Sequence, residues 1–225
     1  MYKKIGFVVA DDCEFAPVLK HCEEVNGEIF ERNSKQYCRF NHNNVEIVAV
    51  YCGVGKVNAA AYTSALIIEE NPDCIINFGL SGAVASVYKN QIVIGTEFHE
   101  HDFDLTPLGY GLGEKSRNHQ VLKADEKLND MLMKADSSIA PCVFVTGDCF
   151  VADTALRDRI IEKFGANCCD METAAIASVC RDFSVPFASV RYLSDDADDN
   201  AKDSYREINN LEKDTLLKIC LKSIQ

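Results

Sequence analysis

The sequence predicts an α/β domain built on a mostly parallel sheet. Short apolar runs rich in Ile, Val and Phe alternate with longer stretches of helical periodicity. The apolar runs show little in–out alternation, as in strands covered on both faces. A chain of 225 residues, 47% apolar and 26% charged, can bury a large core without disulfide or metal staples.

Taken in order, Lys4–Ala10 is the first strand, and a helix over Glu14–Val25 follows Asp11 and Asp12. Tyr37–Phe40 is a short strand that turns through Asn41-His42-Asn43-Asn44 into a second long strand, Val45–Tyr51. Gly53-Val54-Gly55 then opens a helix over Lys56–Glu70, which carries Ala59, Ala60 and Ala61 and stops before Asn71-Pro72. Strands are expected at Cys74–Phe78, Gln91–Gly95, Cys142–Thr146 and Pro186–Leu193. Pro72 and Pro186 sit just ahead of strands, where a missing N–H costs little. Further helices are expected at Lys123–Ala135, Thr154–Phe164, Thr173–Phe183 and Ser204–Ser223. His99–Gln120 reads as an irregular connection of about 20 residues, a length typical of functional loops. No repeat or linker interrupts the pattern, so one domain over residues 1–225 is expected.

Charge narrows the partners. Lys and Arg number 23 against 35 Asp and Glu, a net charge of −12. Such a surface repels nucleic-acid polymers and anionic membranes, whereas a neutral nucleoside is compatible with it. No apolar run approaches the roughly 18 residues of a membrane span. The N-terminus reads as a buried strand, not a signal peptide. The eleven cysteines are scattered without a C-x-x-C spacing, so they read as reduced, buried thiols of a cytoplasmic protein. The five histidines show no metal-ligand spacing, and no metal is expected.

Ligands of open α/β sheets bind beyond the carboxyl ends of the strands, so the segments there carry the chemistry. They are Asp11-Asp12-Cys13-Glu14, Gly79-Leu80-Ser81-Gly82-Ala83-Val84, Gly147-Asp148-Cys149-Phe150-Val151 and Ser194-Asp195-Asp196. Asp170-Met171-Glu172 opens a helix nearby, and Arg191 lies inside the last strand. Each acid has a plain structural reading. Asp11 with Glu14 can form a capping pair, Asp170 can cap a helix with Glu172 in its first turn, and Asp195 can cap a turn. Gly53-Val54-Gly55-Lys56 is not a Walker loop, because Val50 and Val57 stand where Gly and Ser or Thr are required. Asp196, Asp198, Asn200 and Glu207 have calcium-loop spacing, but Ala201 replaces the turn glycine. Glu14, Glu172 and Asp195 with Arg191 at one end of one sheet suit a different task, stabilising a sugar cation while protonating a departing base.

Longer motifs point the same way. They are Gly53-Val54-Gly55-Lys56-Val57-Asn58-Ala59-Ala60, Pro72-Asp73-Cys74-Ile75-Ile76-Asn77-Phe78-Gly79, His101-Asp102-Phe103-Asp104-Leu105-Thr106-Pro107-Leu108-Gly109-Tyr110, Thr146-Gly147-Asp148-Cys149-Phe150-Val151, Asp170-Met171-Glu172-Thr173-Ala174-Ala175-Ile176-Ala177 and Arg191-Tyr192-Leu193-Ser194-Asp195. With these, the chain resembles the 5′-methylthioadenosine/S-adenosylhomocysteine nucleosidases of the nucleoside phosphorylase superfamily, nearly end to end. The resemblance implies a three-layer α/β/α sandwich around a mixed, mostly parallel, barrel-like sheet. It also implies cofactor-free hydrolysis of an N-ribosidic bond with release of adenine, from methylthioadenosine, adenosylhomocysteine or 5′-deoxyadenosine. The implied roles are Asp195 as proton donor to the base, Glu14 as base for water, Glu172 and the Met171 backbone on the ribosyl group, and Arg191 as their organiser. Phe150 would face adenine, Val151 would meet its edge, Leu80 would lie near the ribose, and Val54 and Tyr205 would line the 5′ end. A homodimer is implied, with the loop His101–Tyr110 at its two-fold interface. The alternatives are a purine nucleoside phosphorylase of the same superfamily and a non-catalytic nucleoside-binding relative.

Overall fold

The computed structural model describes residues 2–115, 121–208 and 210–224. Its core follows from strands that are apolar on both faces. In β1 (Lys4–Val9), Ile5, Phe7 and Val9 join one apolar cluster, while Val8 joins the other. In β4 (Val45–Tyr51), Ile47 and Ala49 face one way and Val48 and Val50 the other. A strand has period 2, so continuous apolar runs bury both faces and need a helical layer on each side. One layer holds α1 (Asp12–Glu24), α3 (Glu126–Ala135) and α7 (Asn210–Ser223). The other holds α2 (Lys56–Glu70) and α5 (Thr173–Asp182).

The ten-residue β5 (Cys74–Ala83) is buried throughout and organises the sheet. One edge pairs in parallel with β1, with Ile5 opposite Cys74 and Val8 opposite Asn77. The other pairs in parallel with β10 (Phe187–Asp195), with Arg191 opposite Gly79 and Asp195 opposite Gly82. From β10 the sheet runs through β6 (Ile92–Glu100), β8 (Ala140–Thr146) and β9 (Cys168–Asp170), which pairs back with β5 at Gly82 and Ala83. That circuit closes a five-strand barrel. The remaining path extends from β1 through β4 and β3 (Lys35–His42) to β2 (Glu28–Arg32), and β7 (Leu122–Lys123) adds to β6. The mixed, barrel-like α/β sheet expected from the resemblance is therefore observed.

Most predicted elements are in place, with α2 and α4 (Thr154–Phe164) at the predicted bounds. The differences have physical causes. β5 runs on to Ala83, past the predicted end at Phe78, because it finds pairing partners on both edges. β6 takes in the segment up to Glu100, where parallel pairing with β8 outweighs polar composition, so the connection after it begins later than expected. Its described part includes a 3-10 turn at Thr106–Leu108, and residues 116–120 of the predicted loop lie outside the described residues. β2 was not anticipated because its five residues are largely exposed and polar. The predicted helix Ser204–Ser223 is two helices, α6 (Ala201–Arg206) and α7. No Gly or Pro marks the break; α6 packs on β10, whereas α7 is drawn against α1 and α3.

Candidate active site

A cavity of about 500 Å³ opens at the carboxyl ends of β1, β5 and β10. Its lining includes Glu14, Val54, Leu80, Phe150, Val151, Met171, Glu172, Asp195 and Tyr205, all singled out from the sequence. Arg191 is different. It is 1% exposed and lies behind the wall, in contact with the acids and not with the open space.

Local structure explains how each acid reaches the cavity. Asp11 caps α1 by accepting from the Cys13 amide, as a helix cap should. Glu14 is not its capping partner. Its Oε1 accepts instead from the Leu80 amide of β5 at 2.7 Å, turning the carboxylate into the site. Asp170 holds the start of α5: its Oδ1 accepts from the Glu172 and Thr173 amides, both at 2.9 Å, and from the Thr146 hydroxyl at 2.7 Å. Glu172 is thereby freed from helix capping and accepts from the Gly55 amide at 2.9 Å. Gly55 has φ +96°, a backbone conformation that a side chain would strain. The neighbouring Lys56 amide donates to Asp148 at 2.8 Å, so two open donors of the α2 N-terminus meet carboxylates from other segments. Asp195 does cap a turn, through the Ala197 amide at 2.9 Å, and it also accepts from the Ser194 hydroxyl at 2.6 Å. The structural and cavity-lining readings hold for it together.

Two glycines of β5 make the acids' approach possible. A Cβ at Gly79 would lie 2.6 Å from Glu14 Oε2 and 2.7 Å from Arg191 Nη1. A Cβ at Gly82 would lie 3.0 Å from Asp195 Oδ1.

Arg191 is held by a buried polar network. Nη2 donates to Asn77 Oδ1 and Thr173 Oγ1, both at 2.7 Å, and Nη1 donates to the Leu80 carbonyl at 3.4 Å. Asn77 is anchored in turn by donating to the Val8 carbonyl at 2.8 Å. Asp170 and Glu172 carboxylate oxygens stand 3.5 Å and 3.8 Å from Nη2. One guanidinium thus faces more buried carboxylates than it can neutralise. Burial, only partly offset by Arg191, pushes Glu14 up to about 8 and Glu172 up to about 7. Burial also raises Asp195, against the lowering effect of its Ser194 and Ala197 hydrogen bonds. Burial works against the charge on Arg191, but Asp170, Glu172 and Glu14 more than compensate and hold it protonated. Burial thus raises the proton affinity of all three acids, and positive charge developing between them would favour their ionised forms.

Phe150 and Tyr205 stand edge to face across the mouth, with ring centroids 5.7 Å apart. Lys202, Arg206 and Asp11 also line the cavity. Sequence reasoning did not place Lys202 or Arg206 there, although their spacing, with Tyr205 between, puts them on one turn of a helix. It also left Asn77 and Thr173 without a role, because the partner that gives them one, Arg191, lies more than 15 residues away. The calcium-type residues are otherwise engaged: Asp196 accepts from the Lys89 amide, Asp198 from the Asn200 amide, and Glu207 pairs with Lys89. Among the described residues, Asp11, Asp12 and Cys13 bring ligand-type atoms within 4.8 Å of one another, at the partly exposed start of α1.

Residues 4–225 match the family described as the phosphorylase superfamily. A 5′-methylthioadenosine/S-adenosylhomocysteine nucleosidase of Shewanella piezotolerans is 36% identical over 211 residues, 91% of each chain. A Helicobacter pylori nucleosidase mutant solved with 5′-methylthioadenosine in the active site superposes with TM-score 0.94 at 25% identity, covering 100% of this chain and 99% of that one. The corresponding Neisseria meningitidis enzyme, in complex with methylthio-immucillin-A, gives TM-score 0.91 at 27% identity over 99% and 98% of the two chains. By that match and that identity, the chain belongs to the phosphorylase superfamily, among its 5′-methylthioadenosine/S-adenosylhomocysteine nucleosidases.

Proposed function

We propose that this chain hydrolyses the N-ribosidic bond of 5′-thioadenosines, the class that names its relatives, and releases adenine. The observation that carries the proposal is the meeting of Glu14, Glu172 and Asp195 on one cavity over a buried Arg191. Adenine is a poor leaving anion, and Asp195, whose proton affinity burial raises, is suited to protonate N7. The ribosyl group then becomes oxocarbenium-like. Positive charge there favours the ionised forms of Glu172 and Glu14, which an empty site resists. Glu14 orients water and takes its proton, as the base of an inverting carboxylate pair does. Arg191 fixes Glu172 from behind, and the Met171 backbone meets the ribose with Leu80 beside it. Phe150 packs on the adenine ring, Val151 offers its backbone to the adenine edge, and Val54 and Tyr205 line the 5′ end.

Water is the preferred nucleophile over phosphate. Arg191 is occupied by Asn77, Thr173 and carboxylates, and the acids beside it repel an anion. The test is adenine release from methylthioadenosine with and without phosphate. We expect free 5-methylthioribose and a rate independent of phosphate; phosphate-dependent formation of a ribose 1-phosphate would favour a phosphorylase, and binding without turnover a non-catalytic protein.

We further propose a single catalytic domain over residues 1–225 acting as a cytoplasmic homodimer. Exposed apolar side chains support the dimer: Val57 is 80% and Leu108 72% exposed, on α2 and in the loop His101–Tyr110. Nine of the eleven cysteines are buried as core residues, in keeping with a reducing compartment. Among the described residues no helix is long and apolar enough to cross a membrane.

A further inference from the structure

The mouth of the cavity carries charge that hydrolysis of a neutral thioether leaves unused. Lys202 and Arg206 are one turn apart on α6 and line the cavity with Tyr205 between them. Both are exposed. Among the described residues Lys202 has no ion pair, and Arg206 meets Asp203 at only 3.9 Å, with both of those side chains more than 60% exposed. Such a pair holds a guanidinium weakly and releases it readily to a better partner. In a chain of net charge −12, these are the two cationic side chains on a cavity whose other charged lining residues are acids. Asp11 lines the same cavity from the end of β1. Tyr205 lines it too, and Asp11 is the foremost charge acting on its phenol.

We propose that this mouth is an ionic subsite for a 5′ substituent bearing a carboxylate, which Lys202 and Arg206 receive while Asp11 takes an accompanying ammonium. This rests on the nucleosidase reading and adds a selectivity to it: charged 5′ tails are favoured over a methyl group. A neutral alkyl tail meets none of the three side chains as a partner. A tail with a carboxylate alone gains the two cations and is opposed by Asp11. An α-amino acid tail satisfies all three.

The test compares three substrates: 5′-methylthioadenosine, 5′-(2-carboxyethylthio)adenosine and S-adenosylhomocysteine. The readout is kcat/KM for adenine release, with wild type and a Lys202→Gln/Arg206→Gln double variant. We expect wild type to favour the amino acid tail over the methyl tail by about tenfold, the size of one well-placed charged contact. The double variant should erase about that factor, mainly through KM, with a smaller loss on the methyl substrate. Asp11→Asn should shift preference from the amino acid tail toward the carboxyethyl tail. A double variant whose ratios stay within about twofold of wild type would overturn the subsite, given that a single surface charge alone is worth as little as that. If folded wild type releases adenine from none of the three, the nucleosidase reading is what fails. Calorimetric affinities for the same compounds then decide the subsite: tighter binding of the charged tails, lost in the double variant, supports it, and equal binding rejects it.

Discussion

Replacing Gly79 by alanine tests whether the site depends on the close approach of Glu14 and Arg191 across β5. The added methyl would lie 2.6 Å from Glu14 Oε2 and 2.7 Å from Arg191 Nη1. Ordinary contact begins near 3.4 Å, so each group must retreat by about 0.7 Å. Neither can retreat freely. Arg191 is pinned by Asn77 and Thr173, and Glu14 by the Leu80 amide. Crowding a packed interior by one methyl costs about 1–3 kcal/mol. In a chain of this size that lowers the melting temperature by about 2–4 °C per kcal/mol. Misplacing catalytic groups by a substantial fraction of an ångström costs up to about 10²-fold in rate. We therefore expect Gly79→Ala to stay folded, to melt several degrees lower, and to lose about 10²-fold in kcat for adenine release. Scanning calorimetry and a continuous adenine assay measure both. Wild-type kcat with the lowered melting temperature would refute the reasoning, because the acid and the arginine would then tolerate displacement.

The other predictions concern protons and the buried network. Asp195→Asn should reduce adenine release by about 10²–10⁴-fold while calorimetry shows nucleoside binding largely kept. Glu14 and Glu172 bind protons more tightly folded than unfolded, having risen from 4.5 to about 8 and about 7. The folded chain then carries the extra protons between those limits, so their contribution to stability falls as pH rises from about 5 through 8. Melting temperature should drop over that range, and Glu14→Gln should flatten the drop; an unchanged slope would contradict the assigned burial effect. Asn77→Leu removes an acceptor from Arg191 and should cost about 1–3 kcal/mol. It should also lower kcat, since the guanidinium loses its fixed position; unchanged kcat would separate Asn77 from the reaction.

Much of this arrangement was legible from residue order because local signals and tertiary environment agree. β4, α2 and α4 are set by apolar runs and by stops such as Asn71-Pro72, and they form as expected. Glu14, Glu172 and Asp195 were visible because the residues after strand ends meet at one end of a sheet. What stayed hidden depends on long-range pairing. The extension of β5 past Phe78 needs β10 and β9, and β2 exists as an edge only because β3 pairs with it. The break between α6 and α7 has no breaker residue and is made by competing neighbours. The same break leaves Lys202 and Arg206 on a short helix of their own at the cavity, whereas the helix expected from the sequence began at Ser204 and left Lys202 outside it.

The register of β5 has a consequence for how the chain becomes active. Glu14 comes from the first helix and Asp195 from the last strand, and both are set against the same ten residues of β5. The pairing of Arg191 with Gly79 closes a loop of more than 100 residues, a slow kind of contact to form. A chain emerging from the ribosome can complete β1, β4 and the first half of β5 early, yet the acid–base pair we propose is not assembled until β10 has docked. Helical content and apolar collapse should therefore return well before turnover on refolding, and the first adenine released reports the last strand to arrive.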